Sequence, residues 1–399
     1  MRLLPFVVTL LAACKTEAPP ADVPTYYADV KPLIDVHCAR CHTDNGIGPV
    51  SFDDVASVLA LGPSMIAQID AGNMPPPAPD PSCADYEGSD AMTLSDDERA
   101  VFTAWVDANM PLGEPADAPA PPAPATVGPF DVELHGLPFT PTFNDAQAPG
   151  NEYRCFAFKF ASDTDKFATA LEAVIDQTPI VHHVVLFRDT TRTADVTDTD
   201  GFDCDGLGED GWDILAAWGP GSLPVVLPEG AGVRIPAHDR LVVQMHYFDS
   251  GRDFTADSTG YGLLLTDSVE TEVAYLPFGG YNFTIPAGDP AYEVEQTTHW
   301  PSGQGHPVLY SAWPHMHVLG KQLSLEITHP DDTKTCVLRM NDWNFHDQAT
   351  APLLTPIPIK AGDDITVRCT YDNSAGTSDV EFGEGTQNEM CFAFTYAGF

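Results

Sequence analysis

The sequence predicts a multidomain chain, a small all-α domain followed by two tandem all-β sandwich domains. Three observations carry that reading. The chain has 399 residues, more than one core usually accommodates. A Pro/Ala-rich stretch without hydrophobic period, Leu112 to Pro129, divides it. Before that stretch apolar residues recur at helical spacing, and after it they fall in short runs, most of them bounded by turn residues.

Composition narrows the function classes. Lys plus Arg number 18 against 58 Asp plus Glu, a formal charge of −40. Such a surface repels phosphates and excludes a nucleic-acid partner. Hydrophobic residues make up 43%, enough for packed cores, which excludes wholesale disorder. The 37 prolines and 31 glycines favour short strands and turns over long helices.

Residues 1–13 read as an export signal. Arg2 is a minimal positive start, Leu3 to Leu11 is apolar, and Leu11-Ala12-Ala13-Cys14 resembles a bacterial lipobox. Lipidation of Cys14 would anchor the chain to a membrane, periplasmic or at the cell surface. Plain secretion with an incidental cysteine is the alternative. Residues 14–24 then form a tether, and no later run approaches the ~20 apolar residues of a spanning helix. There are nine cysteines. In an exported chain those other than Cys14 are candidates for disulfides.

The α domain is expected over residues 25–111. Tyr27, Val30, Leu33 and Ile34 share a helical face. Ser95-Asp96-Asp97-Glu98 has the form of a capping box, opening a helix whose apolar face holds Val101, Phe102, Trp105 and Val106. Between them lies Cys38-Ala39-Arg40-Cys41-His42. C-x-x-C-H lets two thiols add to the haem vinyl groups while the histidine reaches the iron. A bare C-x-x-C would also suit a redox pair or half a zinc site; the following His42, the helix before it and the export signal favour one covalent c-type haem. Met74, in a Pro-rich loop, is the expected sixth ligand, against Met65, Met92 and Met110. The segment resembles a class I-type cytochrome c. His37 is expected to be exposed. Residues 112–129 are expected to act as a semi-rigid polyproline spacer.

The β region holds four strand-like runs, Ile180 to Phe187, Leu241 to Phe248, Val308 to Ala312 and Cys391 to Tyr396, with histidines inside the first two and just past the third. His315 and His317 are two apart, so in a strand both imidazoles face one ion. His182 and His183 are adjacent and point to opposite faces unless a twist or bulge intervenes. His246 lies in the second run, and Met390 just precedes the fourth. Imidazoles alone would suit zinc or copper; a thioether tips the choice to copper.

The order HH, Q-x-H-Y, H-x-H and E-M-C, from about Asp131 to Tyr396, resembles the copper type II ascorbate-dependent monooxygenases. That resemblance implies two tandem jelly-roll-like sandwiches, here 130–270 and 271–399, with solvent between them. It implies two copper ions, one for electron transfer on His182, His183 and His246. The other, on His315, His317 and Met390, would activate O2 and hydroxylate substrate. It further implies disulfides Cys369–Cys391 and Cys155–Cys204, leaving Cys83 and Cys336 free or bridging domains. Trp313 stands where peptide-amidating members carry an arginine, and Phe392 and Phe394 replace polar family residues, so an aromatic or amphiphilic small substrate is expected. These two phenylalanines would equally serve as ordinary core. His299 and His346 have no assigned role.

On this reading the chain is a copper monooxygenase whose haem feeds the first copper, with ascorbate or another cytochrome as external donor. The competing readings are a non-catalytic copper-binding, electron-carrying surface lipoprotein and another metal oxidoreductase of nitrite-reductase type. The last lacks an evident blue-copper Cys-His-Met pattern.

Overall fold

The computed structural model describes residues 23–399 apart from 45, 124, 145–148, 198–199, 205–207, 346, 384 and 386. The export signal and Cys14 lie outside the described residues, as does His346.

The N-terminal unit is helical. A π-helical turn, Tyr26–Val30, runs into α1 (Lys31–His37); α2 (Val55–Asp70), α3 (Ser89–Met92) and α4 (Asp96–Asp107) follow. Asp54 caps α2, accepting from the Ala56 and Ser57 N–H groups. The capping box at α4 forms as expected, with Ser95 Oγ accepting from Glu98 N and Glu98 reaching back to Ser95 N. Phe102 and Trp105 are fully buried against Val30, Ile34, Val58 and Ile69. His37 is also buried, not exposed as expected. Its Nε2 lies 3.3 Å from Glu98 Oε1 and its Nδ1 3.3 Å from Ala91 O, because α1 packs against the segment leading into α4.

The rest is β. The first half contains β1 (Val132–His135), β2 (Asn151–Lys159), β3 (Lys166–Val174), β4 (Val181–Asp189) and β5 (Trp212–Trp218). It continues with β6 (Val225–Val226), β7 (Ala231–Ile235), β8 (Arg240–Phe248) and β9 (Gly260–Thr266). The second half contains β10 (Thr271–Gly280), β11 (Thr284–Ile285), β12 (Tyr292–His299), β13 (Val308–His315) and β14 (Gly320–Thr328). It ends with β15 (Lys334–Met340), β16 (Ala351–Pro358), β17 (Asp364–Tyr371), β18 (Val380–Glu381) and β19 (Cys391–Gly398).

Strand pairing crosses the two halves. One sheet runs β1-β9-β3-β7-β10-β19-β13-β16, with β6 on β3. Its halves join where β7 pairs parallel with β10, Thr271 opposite Ala231 and Val273 opposite Val233. A four-stranded sheet, β2-β8-β4-β5, packs on the first half, and β12-β17-β14-β15 on the second.

Strand alternation on β19 distributes its side chains among three cores. Cys391, Ala393 and Ala397 face the second core, Tyr396 enters the first, and Phe392 and Phe394 enter a cluster between the halves. Gly279 sits opposite Phe392, whose ring occupies the place of a Cβ. That third cluster joins Val185, Phe187, Trp212 and Val242 of the first half to Trp313, Met390, Phe392 and Phe394 of the second. Apolar packing therefore joins this part of the two halves.

The stretch expected to act as a spacer is accompanied by other ties. Among the described residues of 112–129, the one regular element is a 3-10 turn, Pro115–Asp117. They are not the sole tie between the helical unit and the β region. Cys83 is disulfide-bonded to Cys336 on β15. Tyr86 is buried in the second core, its hydroxyl donating to Val337 O at 3.1 Å. Asp80 N donates to Arg339 O, Glu87 N to Pro352 O, and Asp85 O accepts from Leu354 N. The segment after α2 is thus woven into the second half.

Candidate metal centres

The first cluster is built on β4 and β8. In their ladder Val181 faces Tyr247 and His183 faces His246, so His182 is the extra residue of a bulge. The bulge turns two adjacent histidines toward one point, which flat strand geometry forbids. The His182 and His183 Nδ1 atoms lie 3.4 Å apart, and those of His183 and His246 3.2 Å. Three donor atoms, one from each residue, fall within 4.8 Å of one another. Bonds of about 2.0 Å at roughly tetrahedral angles would place donors about 3.3 Å apart, so the trio fits a single ion. His246 Nε2 donates to the buried Asn151 Oδ1 at 2.7 Å, which leaves its Nδ1 lone pair facing the cluster. Tyr153 stacks on His246 with ring centroids 4.2 Å apart.

Burial, then the neighbouring imidazoles, hold the pKa values of His183 and His246 well below the usual range. Both rings are therefore neutral at neutral pH, as ligating imidazoles must be.

The second cluster lies where β13 ends. His315 closes the strand and His317 follows it. Their rings are 5.2 Å apart and perpendicular, while Met316 between them turns into the second core. His315 Nδ1 donates to Gln348 Oε1 at 2.7 Å and His317 Nδ1 to Asn388 O at 3.0 Å. Both Nε2 atoms therefore carry the lone pair. Burial lowers the His315 pKa to about 3 and also lowers that of His317.

Met390 is buried immediately before β19. Its carbonyl accepts from Tyr371 Oη at 2.6 Å, and the Cys369–Cys391 disulfide staples the next residue to β17. Glu389 ties this strand to the H-x-H loop. Its carboxylate accepts from His317 N at 2.8 Å and Leu319 N at 2.6 Å. Burial raises the Glu389 pKa to about 7, against the pull of those N–H groups.

The two clusters are neighbours. A charge on His315 or His317 acts on both His183 and His246. Phe345, on the loop between β15 and β16, stacks on His182 at 4.9 Å and lies 6.4 Å from His317. Beside His315, Trp313 and Phe394 are 5.2 Å apart and Phe394 stacks on Phe392 at 5.3 Å. Beyond this aromatic wall a cavity of about 610 Å³ opens, lined by Phe392, Phe394 and Tyr275 on one hand and by Arg188, Arg234 and Asp213 on the other. The second expected family disulfide, Cys155–Cys204, is also formed.

The C-x-x-C-H turn closes the C-terminal end of α1. Cys41 N and His42 N both donate to Cys38 O. Among the described residues, Cys38 and Cys41 are the cysteines without a disulfide. Burial raises both thiol pKa values, that of Cys38 to about 12. His42 Nδ1 donates to Val50 O at 3.0 Å, leaving Nε2 for a metal, and the ring stacks on Phe52. Two unpaired thiols and an oriented imidazole fit a covalently attached haem. Met74 lies on the turn after α2, half-buried, its N–H on Gln68 O; no interaction recorded in the structure joins it to His42. His299 is exposed and paired with Asp364 at 2.7 Å.

Sequence reasoning missed Asn151, Tyr153, Phe345, Asp347 and Gln348. Glu389, also missed, stands inside the E-M-C pattern; the others have no local pattern that marks them.

Two family profiles match the chain. The copper type II ascorbate-dependent monooxygenase N-terminal domain matches residues 141–252, and the C-terminal domain of the same family matches 291–397. Together they cover more than half of the chain, and both lie beyond the helical unit. Peptidyl-glycine alpha-amidating monooxygenase A of Xenopus laevis is 27% identical over 276 residues, 66% of this chain and 27% of that protein. The Mus musculus peptidyl-glycine alpha-amidating monooxygenase is 27% identical over 281 residues, 66% of this chain and 26% of its own length. The putative DBH-like monooxygenase protein 2 of Homo sapiens is 24% identical over 197 residues, 46% of this chain and 40% of that one. The chain spans about a quarter of the length of the first two relatives.

Proposed function

Because the chain belongs, through residues 141–252 and 291–397, to the copper type II ascorbate-dependent monooxygenase family, we propose that it hydroxylates a C–H bond of a small organic substrate with O2. The observation that carries this reading is the convergence of the His182, His183 and His246 donors within 4.8 Å, next to the buried His315, His317 and Met390. His182, His183 and His246, and His315, His317 and Met390, would hold copper, which would supply one-electron redox chemistry and O2 activation; Cys38, Cys41 and His42, with Met74, would hold a haem that would relay electrons from an external donor.

The protein's own residues prepare the sites. Asn151 fixes the His246 tautomer, and Gln348 and the Asn388 carbonyl fix those of His315 and His317. Glu389 and the Cys369–Cys391 bridge hold Met390 and the H-x-H loop to a common frame. Trp313, Phe392 and Phe394 exclude water from one side of His315 and offer no cation to a carboxylate. That wall favours an aromatic or amphiphilic substrate over a peptide terminus. Residues 130–270 and 271–399 are the two copper-domain units of this reading. An exported lipoprotein anchored through Cys14 completes it, with ascorbate or another cytochrome as external donor; three disulfides accord with an oxidising compartment.

Metal content tests the proposal. The chain from residue 15 onward, expressed in a periplasm with haem-maturation machinery and loaded with copper, should hold one iron and two coppers. The His315→Ala/His317→Ala variant should hold one copper. Substrate-dependent O2 uptake should accompany the full complement and vanish in the variant. Two coppers without such uptake across candidate substrates would favour an electron carrier. One copper or fewer in the unaltered chain would overturn the dicopper reading.

A further inference from the structure

One loop touches all three candidate centres. Its described residues are 341–345 and 347–350, between β15 and β16. Phe345 lies against His182 and His317. Gln348 Oε1 accepts from His315 Nδ1, and Gln348 O accepts from Trp313 Nε1 at 2.5 Å. Between them, Asp347 Oδ2 accepts from Arg40 Nη2 at 2.7 Å. Arg40 belongs to the C-x-x-C-H turn. A second clamp, from the first half, holds residues that follow this turn. Arg252 Nη1 donates to Gly46 O and Gly48 O, both at 2.7 Å, and Nη2 donates to Asp44 O.

Building on the function proposed above, we propose that Arg40 is a positioning residue for His315, acting through Asp347 and Gln348. The turn of the helical unit and the second metal site are then one mechanical assembly. The ion pair is a poor stability device. The Asp347 side chain is 6% exposed and that of Arg40 15%. Arg40 Nε, Arg40 Nη1 and Asp347 Oδ1 are all buried without a hydrogen bond among the described residues. Pairs so incompletely satisfied gain little over apolar packing, yet removing one partner strands the other charge. What the contact does achieve is geometric. It sets where residue 347 sits, and residue 348 holds the imidazole. The Cys83–Cys336 bridge and the buried Tyr86 keep the helical unit docked while the clamp acts.

Arg40→Gln separates this role from simple support. Asp347 then lacks its counter-charge and is drawn toward water, carrying Gln348 away from His315. In the double variant Arg40→Gln/Asp347→Asn the amides pair without charge and the loop stays in place. The full chain, loaded with Cu(II), is examined by electron paramagnetic resonance and chelator competition. The signal that His315→Ala removes defines the second site. Arg40→Gln should shift the hyperfine splitting of that signal and weaken copper there roughly ten- to a hundredfold, the usual effect of losing a ligand's outer partner. The remaining copper signal should not change, and the double variant should recover most of the loss. If Arg40→Gln does not fold, Arg40→Lys keeps the charge, loses the planar fork and should give a smaller shift of the same kind. A second-site signal unchanged in whichever single variant folds, or lost equally in single and double variants, would overturn the inference alone. If the unaltered protein has no signal that His315→Ala removes, the inference and the function beneath it both fall.

Discussion

Phe345 of the second half stacks on His182 of the first, ring centroids 4.9 Å apart and planes 27° from parallel. An aromatic from one half is thereby packed on a candidate ligand of the other, with the His317 ring edge-on to it at 6.4 Å. Phe345→Ala should lower stability by about 1–3 kcal/mol, through lost ring packing and the gap left behind. It should also raise amide hydrogen exchange in β4 around His182–Val184. Denaturant midpoints and exchange mass spectrometry check both; unaltered exchange would show that the ring does not hold the halves together.

Reduction should matter more than cleavage for the helical unit. With a protease site placed in residues 112–129, the cut protein should run as one species without reductant and as two under denaturing, reducing conditions. Cys83→Ala/Cys336→Ala should cost about 2–5 kcal/mol of stability, read from chemical unfolding. Separation of the cut, unreduced pieces on a denaturing gel would exclude the bridge.

Asn151 and His246 form the counterpart of the Gln348–His315 contact. Asn151→Leu removes the acceptor that fixes the His246 tautomer. Copper affinity at the three-histidine site should fall roughly ten- to a hundredfold. Competition with a chromophoric chelator measures it, and the second site should titrate as before.

Acid sensitivity has a definite local source at Asp189. Burial opposes its charge, but hydrogen bonds from the Thr191 hydroxyl and from the Ala194, Arg192 and Thr191 N–H groups outweigh it and hold the pKa below the usual value of 3.8. A depressed folded pKa contributes stability that is present above the unfolded value and disappears as pH falls through the folded one. Asp189→Asn should therefore lower the thermal midpoint at pH 6, and the difference from the unaltered protein should shrink steadily below about pH 3.8. A difference constant from pH 6 to 2.5 would assign the effect to packing instead.

The local features were legible because short-range physics sets them. The capping box at Ser95 needs only a four-residue pattern, and the strand runs around His182, His246, His315 and Cys391 declare themselves by apolar content and turn-forming flanks. The His182–His183 pair marked the limit of that logic. Adjacent strand residues diverge, and the bulge that makes them converge exists only in the ladder between β4 and β8. His37 shows the same limit from the other side, since a polar residue beside a motif carries no signal that Glu98 and Ala91 will enclose it.

By itself the sequence determined the division into helical and β-rich parts, the candidate ligands and the family to which their order belongs. Tertiary structure alone decided how the parts meet. Cys83 and Cys336 are 253 residues apart, Arg40 and Asp347 307, and no periodicity links positions so distant. Their contacts come from chain crossings such as β7 beside β10 and from Tyr86 entering the second core. Periodicity records which face of an element is buried; it does not record which other element buries it.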